Sequence, residues 1–264
     1  MAEVHIALDD GVATVAMNRP EARNAMTVAM LDCLLTNLEH LAADDDVRVV
    51  VLTGSGVDFS VGADLSAMSA GAESGGTLGA GLSDQRIWDS YRLPILLHEM
   101  PKVTIAAING ACAGAAMGLA CACDLRWASD RAVFRTAFRR VGVAGDMSIG
   151  WTLNRVVGPA RAVELLTLSE RIDARRAAEI GLVNRVVVAA DFHEDVAAVA
   201  RELAGSAPLA LRAMKANFHD AETLSLRDYS DAESRRHMEL LGSADVVEAS
   251  IAFMEKRPPV FRGR

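Results

Sequence analysis

Two short runs of alternating apolar and polar residues, Val4 to Leu8 and Val12 to Met17, flank Asp9-Asp10-Gly11 and predict a β-hairpin. Asn18-Arg19-Pro20 stops the second strand. Thr27 is placed to cap a helix running to about Ala43, whose apolar face is Met30, Leu31, Leu34, Leu38 and Leu41. Past the acidic turn Asp44 to Asp46, the run Val47 to Leu52 shows no alternation beyond Arg48, the pattern of a strand covered on both faces. Ala67 to Gly81 is Gly-, Ala- and Ser-rich and has little to bury; it reads as a mobile loop, with an interdomain linker as the alternative. A helix is predicted from Ser83 to about Met100, closed by Pro101. Val103 to Ile108 reads as a buried strand, with shorter strands at Leu125 to Ala128 and Ala132 to Phe134.

Helical spacing dominates after Met147: Ser148 to Val157, Ala160 to Leu168, and Ala174 to Ile180 behind the cap Asp173, with one strand at Val183 to Val188. From Asp191 to Lys256 nearly everything is helical, punctuated at Pro208 and Gly242, with Asp245 a cap for the last helix. Strands threaded by helices and then a helical tail predict an α/β fold: a core over residues 1–206 and a C-terminal helical subdomain over 207–264. The tail carries Leu209, Leu211, Met214, Phe218, Leu224, Leu226, Met238 and Leu240, too many apolar positions for a free arm.

Composition narrows the classes. The 264 residues are 51% hydrophobic and carry a net charge of -8 without a long basic run, which argues against nucleic-acid binding. Cys33, Cys112, Cys121 and Cys123 lie in apolar or Ala-rich segments and read as reduced core thiols; a structural metal lacks a second close-spaced cysteine pair. Glu3, His5, Asp9 and Asp10 interrupt the start, and Ala111 to Ala122 is too short to span a bilayer, so a soluble cytoplasmic protein is expected, with no membrane partner.

The chemistry concentrates in two small-residue tracts. VVVLTGSGVDFSVGADL, residues 49–65, ends an apolar strand in a glycine-rich turn, and Asn109 to Asp124 repeats the pattern. Each tract can aim a backbone N–H at one oxygen, which is what stabilises an enolate or a tetrahedral oxyanion. Close helix–sheet packing is the other reading of the same glycines.

Together with NRPEARNAM at 18–26 and FMEKRPPVF at 253–261, these tracts resemble the crotonase superfamily, that is, the enoyl-CoA hydratase/isomerase family, over nearly the whole chain and in the right order. The resemblance implies a ClpP/crotonase-like spiral of ββα units and a homotrimer or dimer of trimers built through the C-terminal helices. It also implies a coenzyme A thioester as substrate and no prosthetic group. It places the oxyanion donors at the backbone N–H of Ala63, in Gly62-Ala63-Asp64, and of Ala115, in Gly114-Ala115-Ala116. Ala115 suits that role only if the left-handed dihedral falls elsewhere. The resemblance assigns coenzyme A contacts to the segment from Arg19 to Met26, with Arg19 or Arg23 meeting phosphate and Asn24, Ala25 and Ser60 alongside. Lys256 and Arg257 are further candidates, and Asp64 is expected to cap the next short helix.

The family's hydratases hold water between two glutamates. The corresponding positions here are Gly118 and Phe138, and neither moves a proton. One carboxylate remains nearby: Asp146, at a position that resembles one used by some enoyl-CoA isomerases and by the chlorobenzoyl-CoA dehalogenase-like branch. A single base suffices to move a double bond, so isomerisation is the expected reaction. A hydratase or lyase with rearranged acid–base residues and a non-catalytic acyl-CoA binder are the alternatives. Apolar neighbours Val143, Ala144, Met147 and Ile149 predict a raised Asp146 pKa, while a helix cap at Ser148 is its structural alternative. Arg135, Arg139 and Arg140 form a basic cluster expected near the site. His98 and Glu99 read as surface residues, and Trp88, Tyr91, Trp127 and Trp151 as core or acyl-pocket residues.

Overall fold

The computed structural model describes residues 2–64 and 84–264, so the segment expected to be mobile, 67–81, lies outside the described residues. Strands β1 (Val4–Asp9) and β2 (Val12–Met17) pair antiparallel around Asp10 and Gly11, both with positive φ. That is the backbone a tight right-twisted hairpin needs. Helix α1 (Val28–Ala43) begins at Thr27, whose hydroxyl accepts the Met30 N–H at 2.9 Å.

A large sheet then grows strand by strand: β3 (Val49–Gly54), β4 (Val103–Ile108), β6 (Leu125–Ser129) and β9 (Arg185–Val187), in the order β1-β2-β3-β4-β6-β9. All its pairings beyond the first hairpin are parallel. A second, three-stranded sheet holds β5 (Ala111–Ala113), β7 (Val133–Arg135) and β8 (Ile172–Asp173). Isolated bridges extend this ladder backwards, Ser60 to Cys112 and Met26 to Ala63. Successive circuits of the chain therefore leave one segment in the large sheet and the next in the small one, which is the spiral that defines the crotonase fold.

Helices fill the two faces. Val50, Leu52, Ala106 and Ile108 point into the larger core with Met30, Leu34 and Leu38 of α1. The alternate residues Val49, Val51, Ile105, Ala107 and Trp127 pack under Phe192, Val196 and Ala200 of α9 (Phe192–Ala204). Burial on both faces explains the unbroken apolar runs that mark these strands. The helix expected over 83–100 is instead two, α2 (Gln85–Ser90) and α3 (Leu93–Glu99). Pro94, which lacks an N–H, opens α3 and favours a fresh start there.

Helix α4 (Ala115–Ala122) follows β5 and is buried along its whole length. After the short α5 (Phe138–Val141) come α6 (Ile149–Val157), α7 (Pro159–Leu168) and α8 (Ala174–Glu179), the last capped by Asp173. The chain ends in α10 (Pro208–Thr223), α11 (Leu226–Leu241) and α12 (Ala244–Glu255). Ser243, not Asp245, caps α12; Asp245 is buried and accepts the N–H groups of Arg262 and Gly263, pinning the terminus. His98 is likewise no plain surface group, for it stacks on His219 of α10 at 4.3 Å and meets Trp151 edge-on. Trp127 is buried, whereas Trp88, Tyr91 and Trp151 are exposed. No helix among the described residues is long and apolar enough to cross a membrane.

Candidate active site

The two glycine turns meet. A Cβ on Gly62 would lie 2.7 Å from the Ala113 carbonyl oxygen and 3.4 Å from the Ala115 nitrogen, and one on Gly114 would lie 3.9 Å from Gly62 Cα. Only glycine at 62, with φ of +93°, allows this approach.

Met26 fixes the direction of the first turn. Its N–H donates to the Gly62 carbonyl and its own carbonyl accepts the Asp64 N–H, so the intervening Ala63 N–H faces away from that bridge. In the second turn Gly114 takes the positive φ, and Ala115 begins α4 in helical geometry. Neither the Ala63 nor the Ala115 N–H has an acceptor among the described residues. The Ala115 N–H is also one of the unsatisfied donors at the positive end of a helix dipole.

The segment from Arg19 to Met26 is bound to the first turn. Buried Asn24 donates to the carbonyls of Ser55 and Asp58 while its oxygen accepts the Arg19 N–H. Ser60 Oγ donates to the Asn24 carbonyl and accepts the Gly62 N–H. Arg19 is spent internally: it donates to Asp64 Oδ2 at 2.9 Å and to the Ala25 carbonyl, and lies 3.5 Å from Glu3. Asp64 is thus an ion-pair partner, and the helix it is expected to cap lies outside the described residues. Arg23 bonds Asp58 at 2.7 Å but leaves 60% of its side chain exposed. Burial pushes the Asp58 carboxyl up, yet hydrogen bonds from Arg23 and the Ala111 N–H outweigh it and hold the pKa below the ordinary value. At the far end Arg257 pairs with Glu248 and Glu255, and Lys256 takes a left-handed cap conformation after α12.

Asp146 reaches the same region from the other side. It sits in the loop between α5 and α6, next to Met147, which packs directly on Gly118 of α4. Gly118 follows Ala115 by three residues, about 4.5 Å along the helix axis. The carboxylate is half-buried, its Oδ1 has no hydrogen-bond partner among the described residues, and burial pushes its pKa up to about 6. Its side chain does not cap α6; only its main-chain carbonyl does, accepting the Ile149 N–H. Tyr91, at the end of α2, senses this charge: burial first, and then Asp146, raises the phenol pKa. Nothing in the sequence pairs Tyr91 with Asp146, because 55 positions and most of a circuit separate them.

Two residues of the basic cluster turn elsewhere. Arg135 donates to the Ser169 carbonyl and Arg139 to that of Leu168, satisfying the end of α7 rather than facing Asp146. Phe138 is buried in the core at the position read as the second hydratase carboxylate. Among the described residues no group of three or more His, Cys, Asp or Glu is disposed to hold a metal ion.

The profile of the enoyl-CoA hydratase/isomerase family matches residues 7–264. The chain belongs to the enoyl-CoA hydratase/isomerase family. Within that family it is 37% identical over 259 residues to a probable enoyl-CoA hydratase of Rhodobacter capsulatus, covering 97% of this chain and 96% of that one. It is 35% identical over 263 residues to 4-chlorobenzoyl coenzyme A dehalogenase-2 of an Arthrobacter species, covering 96% and 91%. The crystal structure of an enoyl-CoA hydratase-like protein of Thermobifida fusca in complex with acetoacetyl-CoA superposes with a TM-score of 0.83 at 33% identity, covering 91% of this chain and 95% of that one. Enzymes of the family act on coenzyme A thioesters and carry no prosthetic group.

Proposed function

We propose that this protein moves a carbon–carbon double bond in an enoyl-CoA thioester, with Asp146 as the single base. The observation that carries the reading is the Asp146 carboxylate: half-buried, with an oxygen that has no partner among the described residues and a pKa pushed up to about 6, beside the helix that begins at Ala115. The thioester oxygen accepts hydrogen bonds from the N–H groups of Ala63 and Ala115. Asp146 removes a proton from the γ carbon of a 2-enoyl or the α carbon of a 3-enoyl thioester. The electron pair passes into the dienolate, whose negative oxygen those amides stabilise. Asp146 then returns the proton at the other end of the allyl system, and no atom is gained or lost.

Water addition by the familiar two-carboxylate route lacks its carboxylates, since Gly118 and Phe138 stand where those groups are expected. For coenzyme A, Arg23 is assigned the phosphate contact, because its exposed edge remains available while its other edge holds Asp58. Arg19, Asn24, Ala25 and Ser60 hold that binding segment against the first turn. Lys256 is a second cation for the nucleotide, whereas Arg257 is engaged by two glutamates. Exposed Phe218, Leu226, Phe253 and Met254 on the C-terminal helices support self-association as a trimer or dimer of trimers through residues 207–264.

The test is product analysis and α-proton exchange in deuterated water over a panel of acyl-CoA thioesters. The reading requires turnover of a 3-enoyl-CoA that Asp146→Asn abolishes. Hydration of crotonyl-CoA surviving that change would point to a hydratase with other acid–base residues. Chloride release from 4-chlorobenzoyl-CoA would make Asp146 a nucleophile instead. Tight binding with no exchange would mark a non-catalytic binder.

A further inference from the structure

Gly118 is buried in the middle of α4, where its missing side chain has no turn or dihedral to serve. A Cβ there would fall 2.6 Å from both the Cβ and the main-chain oxygen of Met147, and 3.2 Å from its carbonyl carbon. Two of these three atoms are backbone, so no rotamer change of Met147 relieves the clash. The loop residues Met147 (φ 43°) and Ser148 (φ 56°) are both left-handed without being glycine, and Gly142 and Gly145 also take positive φ. Such backbone is unfavourable by itself and persists only where its surroundings impose it. Asp146 is the residue immediately before this contact, and no hydrogen bond pins its Oδ1 among the described residues. The position of the carboxylate is therefore set by the main chain at 146–148, and that main chain is set by the space open at position 118.

We propose that Gly118 is the positioning residue of the catalytic base: the absence of a side chain lets the 142–148 loop seat on α4 and brings the main chain that carries Asp146 against the helix one turn past Ala115. The inference rests on the reading of Asp146 as the base. Any side chain at 118 pushes Met147 outward, and Asp146 moves with it toward water. The Asp146 charge is, after burial, a cause of the raised Tyr91 phenol pKa, so moving the carboxylate outward weakens that contribution.

The experiment compares wild type, Gly118→Ala and Asp146→Asn with a 3-enoyl-CoA substrate, measuring kcat, KM and the pH dependence of kcat/KM. Gly118→Ala is expected to lower kcat about 100-fold, the usual cost of misplacing a catalytic group by an ångström. KM should stay within about threefold, because the binding groups are untouched. The acidic limb should shift below pH 6 as the carboxylate becomes hydrated, a change that a purely structural role would not produce. Unchanged kcat and pH profile in folded Gly118→Ala overturn the inference. If instead Asp146→Asn keeps its activity, it is the underlying reading that fails. Should Gly118→Ala not fold, the double variant Gly118→Ala, Met147→Gly removes the Cβ contact and frees residue 147 to reorient. It should fold and show the same loss. Because residues 141–145 are exposed, the loop has solvent to shift into, and unfolding of both variants also counts against a positioning role.

Discussion

Lys215 of α10 extends its ammonium into the core and places Nζ 2.8 Å from Oδ2 of Asp124, at the end of α4. The same nitrogen donates to the carbonyls of Leu97 and Lys102, and Asp124 in turn accepts from the N–H and hydroxyl of Thr104. One 6%-exposed lysine thus ties the C-terminal helices to two separate segments of the spiral. Replacing it with methionine leaves a carboxylate and two carbonyls short of a donor. Lys215→Met should destabilise the fold by about 3 kcal/mol, the cost of removing one partner from a buried ion pair. Urea unfolding checks this, and a loss below about 1 kcal/mol would mean water replaces the ammonium.

Asp146 makes opposite demands on activity and stability. In the proposed role of base it must be ionised, so kcat/KM should rise with pH through a midpoint near 6 and level off above it. Burial raises the folded pKa above that of the unfolded chain. The folded state therefore loses relative stability as pH rises from about 4 through 6, and the penalty is complete above that. Asp146→Asn should accordingly be inactive yet more stable than wild type at pH 8, by about 1–3 kcal/mol. At pH 4 the two melting temperatures should converge.

The amide of Ala115 can be deleted without unwinding α4. Proline is tolerated at the first helical position, where its missing N–H has no intrahelical role. Ala115→Pro should lower kcat/KM by about 100-fold or more, the usual loss for one oxyanion donor. A folded variant with near-normal turnover would remove Ala115 from the oxyanion hole.

Arg23 divides its guanidinium between Asp58 and solvent. Arg23→Ala should raise KM for an acyl-CoA about tenfold while leaving kcat nearly unchanged, the signature of uniform binding lost. The wild-type KM should rise with added salt, and the variant should lose part of that dependence. A fall in kcat instead would mean that the Arg23–Asp58 pair matters for shaping the first turn, since Asp58 also accepts the Ala111 N–H.

The periodic parts of the chain were legible because their physics is local. The hairpin at Asp9-Asp10-Gly11, the Thr27 and Asp173 caps, and the apolar runs of β3 and β4 follow from turn chemistry, capping hydroxyls and burial on both faces. Local reading failed where a distant partner competes. Asp245 looks like a cap in sequence, but the returning terminus supplies it with the Arg262 and Gly263 amides, and Ser243 caps α12 instead. The break between α2 and α3 was missed because apolar spacing alone runs straight through Tyr91 and Arg92.

The sequence by itself determined the family, the order of the spiral and the two turn glycines at 62 and 114, since a positive φ favours glycine and that is written in the chain. It also supplied a single carboxylate, Asp146, among apolar neighbours. Only the tertiary structure decided that the Gly62 and Gly114 turns touch, that Arg135 and Arg139 serve the end of α7, and that the Asp146 charge reaches Tyr91. Those relations arise where separate circuits of the spiral pack against one another. A contact between circuits depends on the space left by side chains far apart in sequence, as Gly118 and Met147 demonstrate, and no local pattern encodes that space.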